Sequence, residues 1–424
     1  MRDQMQTGMA EATRLTREGR LTEATAAIQR ALGGTFTPAA SEGSGGDDEP
    51  NEASFRVVDE ASRPASTRCQ RAAGRGSRGF TRPAPEQPLQ HFRDLPGLPN
   101  GLAGVIPGAV EGAPAVVPAG GRFVERSYTD RAGTRAYKLY IPSGYVVGEA
   151  APLVVMLHGC TQNPDDFATG THMNGLAEEH TFLVAYPAQA QNANISKCWN
   201  WFETADQQRG QGEPSLIAGI THQIVDEYDV DADRVYVAGM SAGGAMAAIM
   251  GEAYPDLYAA VGVHSGLAPG AAHDLSSAFT AMRGGSPGGA VSARRVARES
   301  ARTVPTIVFH GDRDTTVHPR NGDQLLAHFA NTGGGQEIKE APALRARVRQ
   351  GQVPAGHSYT CSTYHDASDH AIVERWNVNG LGHAWSGGSL PGSYTDPKGP
   401  DASAEMVRFF DQHPRREPME RPAD

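Results

Sequence analysis

Five short, continuously apolar runs, at residues 153–157, 182–186, 235–238, 260–263 and 306–309, recur along the chain with helical stretches between most of them, as at 172–180 and 215–228. A strand that is apolar at every position has no face to give to water, so it must be covered on both sides. Alternation of such strands with helices predicts an α/β fold, a mostly parallel doubly wound sheet with helices on both faces. Ligands of sheets of this kind bind at the carboxyl ends of the strands, which is where functional residues are to be sought. Two further runs, 123–128 and 136–141, flank Asp130-Arg131-Ala132-Gly133 as a β-hairpin and mark the start of a body spanning 119–413.

Ahead of that body the pattern changes. Met5, Met9, Ala12, Leu15, Leu21, Ala24, Ile28 and Leu32 fall at three- and four-residue steps, which predicts a helical hairpin over 1–32. One such unit cannot bury its own apolar face, so it must dock on the body or on a partner. Residues 33–118 are rich in Gly, Ser, Pro, Asp and Arg without a sustained period and are expected to form a flexible, disordered linker, with a second disordered segment at 414–424. A net charge of −10 gives no positive field for phosphate backbones, so nucleic acid is not an expected partner. The chain has no run of eighteen apolar residues for a membrane span, and charges throughout the first twenty residues leave no apolar core for a signal peptide. The expected location is the cytoplasm. Of the four cysteines, Cys69, Cys160, Cys198 and Cys361, none has C-x-x-C spacing, and free thiols are the default.

The run Val235-Tyr236-Val237-Ala238-Gly239-Met240-Ser241-Ala242-Gly243-Gly244 delivers a serine flanked by glycines from a strand into an Ala-rich helix, the form of a nucleophile elbow. Ser241 could instead merely cap that helix. A serine nucleophile needs a base, a group to orient the base, and donors for the oxyanion. Asp314 follows the strand ending at 309, in His310-Gly311-Asp312-Arg313-Asp314, and is the candidate orienting acid. The alternative there is a solvated turn in which Asp312 and Asp314 pair with Arg313. His383 follows the run 372–378 on a glycine-flanked loop and is the candidate base. The strand 153–157 ends in His158-Gly159-Cys160-Thr161, so the oxyanion hole is assigned to the amides of Cys160 and Ala242, with Thr161 as the substitute. The order Ser241, Asp314, His383, each just after a strand, is that of α/β-hydrolases.

Taken together, Leu157-His158-Gly159-Cys160-Thr161-Gln162, Cys198-Trp199-Asn200-Trp201-Phe202, Gly239-Met240-Ser241-Ala242-Gly243-Gly244, His310-Gly311-Asp312-Arg313-Asp314 and Gly382-His383-Ala384-Trp385-Ser386-Gly387-Gly388 resemble the esterase family containing bacterial poly(3-hydroxybutyrate) depolymerases and related feruloyl and acetylxylan esterases. The resemblance covers roughly 123–413. It implies an α/β-hydrolase that cleaves polyhydroxyalkanoate or hydroxyalkanoate esters through a seryl acyl-enzyme. Feruloyl or acetylxylan ester hydrolysis is the alternative, and the triad alone does not separate an esterase from a serine peptidase of the same fold. A binding protein that coats polymer granules with a vestigial body is a third reading. The N-terminal hairpin resembles the leader of intracellular-type members and points to a partner or granule surface. Cys160 and Cys198 occupy positions resembling a bridged pair in secreted relatives, a bridge expected to stay open in a reducing cytoplasm. Trp201 and Trp385 either wall an acyl groove or pack beneath a long loop. His158, His264 and His310, each at a strand tip, are expected to be hydrogen-bonded packing residues. Asp229-Val230-Asp231-Ala232-Asp233 lacks the glycine and glutamate of a calcium loop, Arg234 and Met240 standing in their places, so neither metal nor cofactor is assigned.

Overall fold

The computed structural model describes residues 56–57, 115, 117–285, 303–331, 345–366 and 368–415. The helical hairpin expected at 1–32, nearly all of the linker expected at 33–118, and 416–424 of the expected tail lie outside the described residues. Within the linker stretch, Arg56–Val57 forms a two-residue strand, β1. The body continues two residues past 413, where the amide of Arg415 donates to the carbonyl of Asp233 at 2.7 Å.

The expected hairpin is β2 (Arg122–Asp130) and β3 (Gly133–Ile141), antiparallel and closing with Asp130 opposite Gly133. The five apolar runs become β4 (Ala151–Leu157), β5 (Leu183–Pro187), β6 (Val230–Met240), β7 (Ala260–His264) and β8 (Thr306–Gly311). Three more strands follow: β9 (Arg345–Gln352), β10 (Ser358–His365) and β11 (Ala371–Val378). Among the described residues these eleven strands form one sheet in the order β1-β9-β10-β11-β8-β7-β6-β4-β5-β3-β2. From β11 to β5 every neighbour is parallel, and antiparallel pairs flank that centre on both sides.

The helices are α1 (Pro164–Thr171), α2 (Met173–His180), α3 (Gly212–Glu227), α4 (Ala242–Ala253), α5 (Leu275–Gly284), α6 (Arg320–Asn331) and α7 (Ala402–Asp411). Each central strand feeds two cores, because successive side chains leave opposite faces of the sheet. Leu153, Val155, Val237 and Val263 join α3, α4, α5 and α6 on one face. Val154, Met156, Ala238 and Phe309 join α1, α2 and α7 on the other. Continuous apolarity in the sequence is thus the sum of two interleaved period-two patterns. Helix α4 is buried from Ala242 through Gly251 and lies against β6 and β7 as a central element, with no polar face to show.

Candidate active site

The parallel register brings five strand ends to one edge. Leu157 lies opposite Gly239, Met240 opposite His264, His264 opposite Phe309, and Gly311 opposite Val378. Ser241 stands at this edge, between β6 and α4, with φ 57° and ψ −120°, a conformation that non-glycine residues rarely adopt. Its amide donates to the carbonyl of His264 at 2.9 Å, and its carbonyl accepts from Ala245 at 2.9 Å to start the helix. The turn is too tight for side chains on either side: a Cβ on Gly239 would lie 2.3 Å from the carbonyl oxygen of Gly243, and one on Gly243 would lie 2.0 Å from that of Leu157. The Ser241 side chain makes no capping hydrogen bond, so the helix-cap alternative does not hold.

Asp314 and His383 are brought together from β8 and from the loop after β11. His383 Nδ1–H donates to Asp314 Oδ2 at 2.7 Å, while Asp314 Oδ1 accepts from the amides of Thr316 (2.9 Å) and Val317 (2.8 Å). That bond fixes the imidazole tautomer and leaves Nε2 as the basic nitrogen. Burial alone would raise the Asp314 carboxyl. The hydrogen bond and charge of His383, with His310 and the Val317 amide, outweigh burial and hold it below the ordinary carboxylate value. Asp314 makes no ion pair with Arg313, and Asp312 instead accepts from the amide of Gly380 at 2.6 Å. The solvated-turn alternative is therefore not what forms. Neither Ser241 Oγ nor His383 Nε2 hydrogen-bonds to a described residue, and nucleophile–base bonds commonly tighten only around substrate.

Gly159 lies beside the serine: a Cβ there would stand 3.6 Å from Ser241 Cβ and 3.0 Å from Gln162 Oε1. Among the described residues the amides of Cys160 and Ala242 have no acceptor, whereas the amide of Thr161 is spent on the carbonyl of Ser196 at 2.7 Å. Thr161, the expected substitute donor, is thereby excluded. Sequence reasoning missed the residues that hold this turn. Gln162 Oε1 accepts from the Gly159 amide at 2.9 Å, and Gln162 Nε2 donates to Asp166 Oδ2 at 2.9 Å. Asp166 in turn accepts from the amide of Ser393 at 2.9 Å and from its hydroxyl. The one signal in the sequence is Asn163-Pro164, where Asn163 caps α1 through the amide of Asp166 at 2.9 Å and so starts a helix directly behind the loop.

Cys160 and Cys198 form a disulfide, which corrects the expectation of open thiols; it ties the turn after β4 to the Trp-rich loop 198–202. Trp385 is 1% exposed, stacks on His264 at 4.9 Å and donates its indole N–H to Ser403 Oγ at 3.1 Å. It is a packing residue beneath the site, and the expectation that it walls a groove is corrected by its burial. Trp201, 5% exposed and edge-on to Phe202 at 5.7 Å, is nearly as enclosed. Half-buried Tyr394, whose hydroxyl lies 3.2 Å from Thr161 Oγ1, is more exposed than either tryptophan.

The three strand-tip histidines are buried and hydrogen-bonded as neutral rings. His158 Nδ1–H donates to Gly159 O (2.8 Å) while Nε2 accepts from the Gln189 amide (3.0 Å). His264 Nε2 accepts from the Ser386 amide (3.0 Å), and His310 Nε2–H donates to Val317 O (2.8 Å). Burial lowers them to about 4, 3 and 4 respectively. Among the described residues no group of three or more His, Cys, Asp or Glu side chains is placed to hold a metal ion.

A parallel sheet flanked by helices, with a serine elbow and a carboxylate–imidazole pair on successive strand ends, defines an α/β-hydrolase. The solved acetyl xylan esterase from Aspergillus awamori has the same fold, with a TM-score of 0.51 at 20% identity, covering 68% of this chain and 99% of that one. The family model for esterase PHB depolymerases matches residues 135–352, half of the chain, and the chain belongs to that family. It is 34% identical over 253 residues to poly(3-hydroxyalkanoate) depolymerase C of Paucimonas lemoignei, covering 58% of this chain and 57% of the relative. It is 29% identical over 206 residues to feruloyl esterase B of Thermothelomyces thermophilus, covering 45% and 70%. The chain spans little more than half the length of the first of these curated relatives.

Proposed function

We propose that this chain is a serine carboxylic-ester hydrolase. Ser241 attacks the ester carbonyl, His383 Nε2 takes the hydroxyl proton and passes it to the leaving alcohol, and water hydrolyses the acyl-enzyme by the same route in reverse. Asp314 holds His383 and stabilises the imidazolium; the amides of Cys160 and Ala242 stabilise the oxyanion. The observation that carries this reading is the 2.7 Å His383–Asp314 bond on the same sheet edge as the strained Ser241 turn. Polyhydroxyalkanoate or short hydroxyalkanoate esters are the proposed substrates, supported by the 34% identity to a poly(3-hydroxyalkanoate) depolymerase. Acetylxylan or feruloyl esters are the second reading, favoured by relatives at 29% identity that carry those names. Trp201, 5% exposed and packed on Phe202, is read like Trp385 as packing, here of the Trp-rich loop, and a polymer granule surface is the proposed partner.

A fluorophosphonate probe should label wild type at Ser241 and leave Ser241→Ala unlabelled. A panel of nitrophenyl esters, polymer granules, feruloyl and acetylxylan substrates and a matched amide then assigns the acyl class, and amide turnover outpacing ester turnover would overturn the esterase reading. The Cys160–Cys198 bridge argues against the expected cytoplasmic location, where the glutathione pool would keep both thiols reduced. Non-reducing intact mass after thiol alkylation tests that location, since a bridge found in cell-extracted protein rules it out.

A further inference from the structure

Glu213, at the start of α3, is 4% exposed, and every polar contact to its carboxylate comes from a donor. Oε2 accepts from the amide of Asn200 at 2.7 Å, and Oε1 accepts from Asn200 Nδ2 at 2.9 Å and from Gln189 Nε2. The charged groups facing it are Arg135 on β3, 3.8 Å away, and Asp206 in the turn Thr204–Gln207, whose carboxylate accepts the Glu213 amide at 2.6 Å. Gln189 extends the chain. Its Nε2 also donates to the carbonyl of Cys198 at 2.8 Å, and its backbone amide donates to His158 Nε2 at 3.0 Å. His158 Nδ1–H then donates to the carbonyl of Gly159 at 2.8 Å, and Trp199 donates its indole N–H to the carbonyl of His158 at 3.1 Å.

The Gly159 carbonyl and the Cys160 amide are the two ends of one planar trans peptide and point in opposite directions. Holding that oxygen therefore aims that N–H. We infer that Glu213 is a positioning residue for the oxyanion loop, fixing the Trp-rich loop through Asn200 and the Gly159–Cys160 peptide through Gln189 and His158. The inference rests on the ester-hydrolase reading of Ser241. It also explains why a carboxylate is buried here, since an anion with acceptors only can take all the donors at once, whereas a protonated acid surrenders one acceptor. Burial and the neighbouring Asp206 carboxylate push Glu213 up to about 7, so this cradle is fully ionised only above neutral pH.

Glu213→Gln keeps the shape but turns one acceptor into a donor. On a short nitrophenyl ester its kcat is expected to fall about 10- to 100-fold, a fraction of the loss of a whole oxyanion donor, with KM within about twofold. The inhibition constant of an alkylboronic acid, which becomes tetrahedral on the serine, should rise by the same factor while affinity for the product carboxylate stays constant. Asn200→Ala, which keeps the backbone bond to Glu213 but removes the side-chain bonds to Glu213, Asn194 and Ala193, should show the same split to a smaller extent. Wild-type kcat and boronate affinity in Glu213→Gln would overturn the inference, and so would a rate loss matched by fewer titratable sites of unchanged boronate affinity. A wild type inert to every ester and to the boronate would overturn the ester-hydrolase reading itself.

Discussion

At Ser241 a φ of 57° is held in place by one hydrogen bond to His264, another from Ala245, and two glycines whose missing side chains leave room for the turn. Gly243→Ala would drive a Cβ to 2.0 Å from the backbone oxygen of Leu157, which cannot rotate away. Overpacking typically costs about 1–3 kcal/mol, and here a backbone must shift, so a lower thermal midpoint together with lost esterase rate is expected. Asp314→Asn should retain the fold yet lower kcat about 10⁴-fold, because the amide no longer enforces the Nδ1–H tautomer of His383; Ser241→Ala should cost about 10⁶-fold. Comparable rates for Asp314→Asn and wild type would remove Asp314 from the mechanism. These residues could be singled out in the sequence because each follows an apolar strand. Gln162, Asp166 and Ser393 could not, since the bonds from Asp166 to Ser393 join positions 227 residues apart and no local pattern marks them.

Elements were legible where burial is two-sided. Strands β4 to β8 emerge within a few residues of the apolar runs, because burial on both faces demands apolarity, whereas the partly buried hairpin β2–β3 and β11 are marked by β-rich runs and, for the hairpin, by its turn. Strand β9 reads Arg-Ala-Arg-Val-Arg-Gln-Gly-Gln, where alternation is confined to residues 345–349 and Ala346 is the buried residue, so a short, heavily charged period-two stretch is all that announces it. Its partners on the sheet decide its conformation. The bridge Cys160–Cys198 was legible as a resemblance but not as a bond, because the compartment inferred from charge argued for thiols. Closing a loop across a separation of 38 residues is worth about 4 kcal/mol in the chain-entropy account. Reduction, or Cys198→Ser, should therefore lower the unfolding free energy by an amount of that order, read as a downward shift of the urea midpoint. Because the bridge anchors the residue whose amide faces the oxyanion, kcat should fall as well; an unchanged kcat in the reduced enzyme would show that Gln162 and His158 suffice to hold the turn.

For the whole molecule, acid stability is set by groups that bind protons differently in the folded and unfolded chain. His158, His264 and His310 are held at about 4, 3 and 4 against an ordinary 6.5, so between about 4 and 6.5 the unfolded chain takes up protons that the folded one refuses. Stability from them is full above 6.5 and is lost as pH falls through that window. Glu213 works the other way: raised to about 7 from an ordinary 4.5, it is protonated when folded and ionised when unfolded across most of the same range. The net uptake on unfolding is then about two protons rather than three near pH 5.5. Carboxylates held below their ordinary value, such as Asp314, extend the loss to lower pH. Urea unfolding of wild type from pH 7.5 to 4.5 should show a stability that is nearly flat at first and then declines, its slope approaching about two protons near pH 5.5. Glu213→Gln removes the opposing group, so whatever its stability at pH 7.5, its slope should steepen by about one proton. Parallel slopes for the two proteins would show that Glu213 is ionised throughout that range in the folded state.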